Sequence, residues 1–366
     1  MSCLSEPNNV SLLAAVLTSD VCLDRVLLLN VFVRTVRPSV EPEADNPAVG
    51  YWKEVFPVLS AILDNFIHCN LIIERICNCW RGMLLSYRTA MTPLLAPLAN
   101  KLAAGFQQTR NGCFLWATGA VVREFSDLRE NVDAAITDSI YVFFEAQAVT
   151  FLRALSEMQP RDFADAIEDF FRLGADTLLF YPLKLITSHL LKPIFEAASY
   201  CLILEQRDPL VATLNFLRDL LTWGSHNPAS SSELPAEMLA QLRAIVLQLV
   251  DSHGEALMKQ IITGLVFRFH PDCSSPATGV IGEMLQIMPE RTMAWLEGSL
   301  QLLDTLAPGE MDLLMGKVRE YVAQGGAQAM RQIRIAVDSF AYNYRRRNVA
   351  PRDGLEVETA VFRYTG

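Results

Sequence analysis

The sequence has few of the features on which catalysis or membrane insertion depends. It contains five histidines among 366 residues, and each stands apart from the others. No glycine-rich phosphate loop follows a predicted strand, and the HExxH and GxSxG patterns are absent. No window of about 18 residues is both apolar and uncharged, as a membrane-spanning helix requires. We therefore expect a protein that is not an enzyme, carries no cofactor and does not enter a membrane.

Basic residues are also scarce. Lysine and arginine together number 31 against 41 aspartates and glutamates, which gives a formal net charge of −10. An acidic balance argues against non-specific binding of nucleic acid, and it is compatible with a basic protein partner.

The eight cysteines are scattered along the chain, and the first nine residues lack the pattern of a signal peptide. This usage predicts reduced, intracellular and mostly buried thiols. The one local cluster places Cys77 and Cys79 shortly after His68 and Cys69. Two cysteines separated by one residue on a helix point to different faces, so packing is favoured over a metal site.

What the sequence does contain is a repeated helical pattern. Apolar residues follow one another at spacings of three and four over residues 51–66, which is typical of a helix with one buried face. A second helix follows over 68–87, and the same pair recurs over 91–106 and 112–125. A helix pair that returns after roughly 40 to 47 residues is the signature of HEAT or armadillo arrays. The sequence therefore predicts an all-α HEAT-repeat solenoid, a superhelical array of antiparallel helix pairs.

The predicted organisation has three parts. Residues 1–50 form a partial repeat and an acidic, proline-rich loop, residues 51–347 form one solenoid of about seven HEAT-like helix pairs, and residues 348–366 form a flexible tail. Within the solenoid, Asp162 is expected to cap a helix that runs to residue 180. Single helices are expected over 183–203 and from Pro235 onward, the latter followed by a separate partner over 255–267.

Arginines on the second predicted helix form the first candidate site. Arg75, Arg81 and Arg88 follow one another at steps of six and seven, with Asn78 between them. One interpretation is an open basic ridge that binds an acidic or phosphorylated peptide through arginine forks. The other is an ordinary solvated helix face, and the residues alone leave both open.

An acidic stretch forms the second candidate site. Residues 120–180 contain five arginines, no lysine and twelve acidic residues, so this region carries a net charge of −7. Such a surface would attract arginine-rich segments. The alternative is that the acids cap helix starts and solvate outer faces. The candidates here are Asp127, Glu130, Glu168 and Asp169.

Five segments in order resemble a known family: WKEVFPVLS, IIERICNCWRG, CFLWATGAVVREF, IEDFFRL and FLRDLL. They resemble the carboxy-terminal part of the transportin-SR receptors, in their fungal form, over most of residues 22–310. These are HEAT-repeat nuclear import receptors of the importin-β (karyopherin) superfamily. The resemblance implies shuttling between nucleus and cytoplasm, protein cargo that includes Arg/Ser-rich RNA-binding proteins, contact with nucleoporins, and release by Ran-GTP.

The resemblance also bears on the arginine ridge. In that family an arginine-rich helix contacts phosphorylated cargo, and it aligns here with residues 71–87. Arg75 and Arg81 match the pattern, whereas Leu71, Asn78 and Leu85 stand where animal members carry further arginines. Family members are considerably longer, and the amino-terminal repeats that carry most Ran-GTP contacts have no counterpart in this sequence. A generic HEAT scaffold without a transport role is the alternative.

Overall fold

A computed structural model describes residues 23–36, 46–126, 133–225 and 234–348. Within these ranges the chain is helical and contains no strand. The α-helices are α1 (residues 23–35), α2 (Pro47–Asn65), α3 (Asn70–Tyr87), α4 (Thr92–Thr109), α5 (Cys113–Glu124), α6 (Ala134–Glu157), α7 (Ala164–Phe180), α8 (Pro182–Thr187), α9 (Leu191–Cys201), α10 (Arg207–Thr222), α11 (Ala236–Thr263), α12 (Ser274–Ile287), α13 (Pro289–Gln301), α14 (Glu310–Gln324) and α15 (Gly326–Arg347). Three 3-10 turns, Arg88–Met91, Pro160–Phe163 and Pro271–Cys273, and a π-helical turn, Gly264–Arg268, lie between them.

The chain divides into two compact units between Thr150 and Phe151, within α6. In the first unit, α1, α3 and α5 lie side by side in one layer. Helices α2 and α4 form the second layer and pack as antiparallel partners of α3 and α5. The second unit repeats this plan, with α7, α10, α12 and α15 as consecutive neighbours in one layer.

Aromatic rings fill the core of the first unit. The indole of Trp80 is fully buried and lies 5.4 Å from the ring of Phe56, measured between centroids. At Gly105, a Cβ atom would come within 2.3 Å of the ring of Phe114, so only glycine allows α4 and α5 to approach this closely. The apolar stripe of α2 is thus a packing surface, as its spacing predicts.

The second unit is packed in the same way. The rings of Phe151 and Phe170 stack with centroids 3.7 Å apart, and both side chains are fully buried. Gly254 lies in the middle of α11 beneath the indole of Trp295, whose Cζ3 would be 2.4 Å from a Cβ atom at that position. A glycine under an aromatic ring therefore sets the helix spacing in both units.

The prediction of two helices between residues 235 and 267 is wrong. Helix α11 is continuous for 28 residues and passes into the π-helical turn Gly264–Arg268. Glycine lowers helix propensity by about 1 kcal/mol relative to alanine, so a glycine at position 254 favours a helix break when only the sequence is considered. In the structure it accommodates a ring from α13 instead.

The predicted helix over 183–203 is also wrong in its continuity. Helix α8 ends at Thr187 and α9 begins at Leu191. Between them the Ser188 hydroxyl accepts a hydrogen bond from the backbone N–H of Leu190 at 3.1 Å, which stabilises the turn.

The predicted cap at Asp162 is wrong as well. Asp162 lies inside the 3-10 turn Pro160–Phe163, and the N-cap residue directly before α7 is Phe163, which makes no side-chain capping bond. The aspartate comes too early because the short turn precedes the α-helix.

The predicted loop that ends at residue 50 is too long by four residues. Helix α2 begins at Pro47, since the side chain of Asn46 accepts a hydrogen bond from the N–H of Ala48 at 3.0 Å. Residues 37–45 of that loop and residues 349–366 of the predicted tail lie outside the described residues. The three-part division itself stays a prediction.

Candidate functional site

Helix α3 buries one face and exposes the other. Its inward residues are fully or almost fully buried: Ile72, Ile73, Ile76, Cys77, Cys79, Trp80, Met83, Leu84 and Tyr87. The outward face begins at Leu71 and ends at Leu85, which are 57% and 38% exposed. Between these leucines lie Arg75, Asn78 and Arg81. The structure therefore brings three of the predicted site residues to one helix surface, which we call the arginine face.

Arg75 is half-buried where α1 meets α3. Its backbone carbonyl accepts a hydrogen bond from the side-chain amide of Asn30 at 3.1 Å. Its guanidinium forms no ion pair with any other described residue. The positive charge of Arg75 is therefore not neutralised within the described part of the chain.

Asn78 accepts a hydrogen bond from a residue that is not among the predicted site residues. The Nη2 of Arg34, on α1, donates a hydrogen bond to Oδ1 of Asn78 at 2.8 Å. A carboxamide oxygen accepts this bond without carrying a formal charge. Arg34 thus adds a guanidinium to the surface of α3, and the pair as a whole remains positive.

Arg81 lies against α5. Its guanidinium carbon sits 4.4 Å from the centre of the Trp116 ring, and its Nη1 donates to the Trp116 carbonyl oxygen at 3.5 Å. An arginine over an indole is held by the ring quadrupole and loses little of its side-chain freedom on meeting a ligand. The arginine face therefore extends over three neighbouring helices.

Arg88 takes a different place from the other candidates. It follows the last residue of α3 with a left-handed backbone (φ 47°), and its Nε lies 3.7 Å from Oε2 of Glu124 on α5. The guanidinium is 65% exposed and the carboxylate 7%. Because it pairs with an acid, Arg88 offers less net charge to a ligand than Arg75 does.

The acidic candidates are only partly within the described residues. Asp127 and Glu130 lie outside them. Glu168 is half-buried on α7, where its carboxylate meets Nη2 of Arg172 at 2.6 Å. Burial raises the pKa of Glu168, Arg172 lowers it, and the nearby carboxylates of Asp208 and Asp165 raise it further. Asp169 lies beside it and is also half-buried.

The described residues contain no group of three or more His, Cys, Asp or Glu side chains that could hold a metal ion. Cys77 and Cys79 are both buried, and burial raises the pKa of the Cys79 thiol to about 12. No helix in the described part of the chain is long and apolar enough to cross a membrane.

Three comparisons with known proteins bear on this chain. Residues 46–151 match the family model described as the Transportin-3/Importin-13 fourth TPR domain. An uncharacterised protein of Schizosaccharomyces pombe is 28% identical over 338 residues, 91% of this chain. The mRNA transport regulator MTR10 of Saccharomyces cerevisiae is 26% identical over 300 residues, 77% of this chain. These matches support the predicted resemblance to the karyopherin (importin-β) superfamily.

A solved structure shares the fold of this chain. The chain superimposes on importin-13 in its cytosolic state with a TM-score of 0.68 at 13% identity, over 88% of this chain and 35% of that one. This likeness confirms the predicted all-α, HEAT-repeat solenoid class. The chain spans about a third of the length of the curated relatives that it matches, 35% of the fission-yeast protein and 30% of MTR10.

Sequence reasoning missed two residues that contact the arginine face, Arg34 and Trp116. The period of the repeat contained a signal for Arg34, which precedes Asn78 by 44 residues. Trp116 follows Arg81 by 35 residues, which is shorter than the repeat, so its contact was not indicated by the period.

Proposed function

We propose that this chain is part of a nuclear transport receptor and that its arginine face binds Arg/Ser-rich protein cargo in its phosphorylated form. The supporting observation is that Arg75, Asn78 and Arg81 share one face of α3, where Arg34 is hydrogen-bonded to the Asn78 amide and Arg81 lies over the indole of Trp116. One arginine commonly binds a phosphate through two parallel N–H···O bonds, and such charge-assisted bonds are about twice as strong as neutral ones.

The superfamily supports a transport role in general. One relative is named as a regulator of mRNA transport, and a structural neighbour is an importin. We propose that cargo release depends on Ran-GTP through repeats beyond those present here, that nucleoporins are further partners, and that the receptor shuttles between nucleus and cytoplasm. In this role the chain performs no catalysis, and recognition rests on surface complementarity.

The test is binding of a fluorescent Arg/Ser-rich peptide, phosphorylated or unmodified, measured by anisotropy. We expect the phosphopeptide to bind more tightly, and Arg75→Ala/Arg81→Ala to weaken it by at least about tenfold, since each lost charged hydrogen bond costs about 1.5–3 kcal/mol. The matched control is Lys53→Ala/Lys101→Ala, which removes the same charge from α2 and α4 in the other layer of the same unit.

Each contrary result has its own meaning. Tighter binding of the unmodified peptide, lost in Glu168→Gln/Asp169→Asn, would move the site to the acidic helix α7. Equal losses in the arginine and lysine variants would reduce the effect to bulk charge. If neither peptide binds the parent, the proposal fails and the generic scaffold interpretation is favoured. Thermal unfolding followed by circular dichroism verifies that each variant remains folded.

A further inference from the structure

We propose that Arg34, on α1, is a further phosphate-binding residue of the arginine face and that Asn78 holds it in place. This inference rests on the proposed function and deepens it, because it adds a specificity-determining residue from a different helix.

The first step concerns the charge of Arg34. Its side chain is exposed, and its one hydrogen bond to a described residue goes to the neutral Oδ1 of Asn78 at 2.8 Å. A guanidinium carries five N–H donors in a rigid fork. With one donor used on Asn78, the others remain available to a ligand and the full positive charge is retained.

The second step concerns the position of Arg34. Three other side-chain bonds join α1, or Val36 directly after it, to α3 on either side of Arg34. Asn30 donates to the carbonyl of Arg75 at 3.1 Å, while Ser86 and Tyr87 donate to the carbonyls of Val33 and Val36, each at 3.0 Å. These bonds fix α1 against α3, so little conformational entropy is lost when Arg34 meets a ligand.

The third step concerns the neighbours of Asn78. It follows Arg75 by three residues and precedes Arg81 by three, and residues at this spacing stand about 5–6 Å apart on a helix surface. The amide that holds Arg34 therefore lies about one helical turn from Arg75 and from Arg81 along the same face of α3. A guanidinium added to this face suits a phosphate group, which carries nearly two negative charges and three acceptor oxygens.

The test compares Arg34→Ala with Arg25→Ala in the full chain. Arg25 is also exposed on α1 and loses the same charge, but it lies nine residues, or about two and a half turns, before Arg34 on the opposite side of the helix. We expect Arg34→Ala to weaken the phosphorylated Arg/Ser peptide by about tenfold, the loss of one charged hydrogen bond. Arg25→Ala should change the affinity less than about twofold, as expected of an isolated surface charge.

The variant Asn78→Ala tests the position of Arg34 separately from its charge. It removes the anchor but keeps Arg34, so we expect an intermediate loss of about threefold with the net charge unchanged. Arg34→Lys should restore part of the affinity, because lysine keeps the charge but lacks the planar fork.

The proposal is overturned if Arg34→Ala and Arg25→Ala behave alike while Arg75→Ala/Arg81→Ala still abolishes binding. That outcome leaves the proposed function intact. If none of these variants alters phosphopeptide binding, the proposed function fails together with the inference. Equal losses of affinity for the phosphorylated and unmodified peptides in Arg34→Ala would also contradict the proposal, since Arg34 would then not bind the phosphate group.

Discussion

The two units pack their helices alike, but Arg34 of the first unit differs from the many arginines of the second unit that pair with carboxylates. In the second unit seven described arginines pair with carboxylates, namely Arg172, Arg207, Arg218, Arg291, Arg319, Arg334 and Arg347. In the first unit Arg34 is bound by an amide and Arg81 by an indole and a carbonyl, although Arg88 does meet Glu124. An ion pair satisfies both charges internally, whereas the amide of Asn78 fixes Arg34 and leaves its charge for a ligand. The partner of an arginine is therefore more informative than the number of arginines.

The largest effect that we expect is on the free energy of unfolding, and it concerns core packing, in which the two units agree. Gly105→Ala and Gly254→Ala each insert a Cβ atom into an aromatic ring, at 2.3 Å from Phe114 and 2.4 Å from Trp295. Each should lower the free energy of unfolding by about 1–3 kcal/mol, because an overpacked core must shift to accept the methyl group.

Urea unfolding followed by circular dichroism measures these changes. The matched control is Gly298→Ala, at an exposed site of α13 where nothing lies within 4 Å of the added atom. It should raise stability by about 0.5–1 kcal/mol, the helix preference of alanine over glycine. A neutral result at Gly105 or Gly254 would mean that the ring in that unit can move aside.

A smaller effect is expected from making the first unit resemble the second. Asn78→Asp gives Arg34 a carboxylate partner like those of Arg172 and Arg207. The phosphopeptide should then bind about tenfold more weakly, a change of about 1.4 kcal/mol, because the arginine is neutralised and the new acid repels phosphate. Asn100→Asp, on α4 in the other layer, adds the same charge as a control. If both variants lose affinity equally, the position of the charge is irrelevant and the comparison breaks down.

The smallest effect concerns the pH dependence of a pair in the second unit. Glu283 is half-buried beside Arg334, 3.4 Å away. Burial raises its pKa above the usual 4.5, with Asp219 raising it further and Arg334 and Arg218 lowering it. Because the folded state then holds the proton more tightly than the unfolded state, this group stabilises the fold below pH 4.5. That contribution is lost as the pH rises through the raised value.

The measurement compares the parent with Glu283→Gln in urea between mildly acidic and neutral pH. The unfolding free energy of the parent should fall relative to that of the variant as the pH rises from 4.5. Parallel curves for the two proteins would show that Glu283 ionises equally well in both states.

Most of the fold was predictable because burial dictates the spacing of apolar residues. The stripes of α3 and α4 mark helices whose ends the structure gives within a few residues of the predicted ones. What could not be predicted depends on a partner far away in the sequence. Gly254 breaks no helix because Trp295 fills the space above it, and no local pattern contains that information.

The candidate site shows the same limit. Arg75, Asn78 and Arg81 share a face because α-helical periodicity places them there. Arg34 was missed because its hydrogen bond to Asn78 depends on how α1 packs against α3, and Arg88 was included although α3 ends before it.

The four side-chain bonds that join α1 and Val36 to α3 also determine how readily α1 detaches. Its backbone amides exchange with deuterium only when the helix opens, and opening must break these contacts. A ligand held jointly by Arg34 and Arg81 would stabilise only the closed arrangement. Protection of the α1 amides would then grow with ligand concentration. Deuterium uptake in α1 would therefore report the fraction of molecules that have ligand bound at α3.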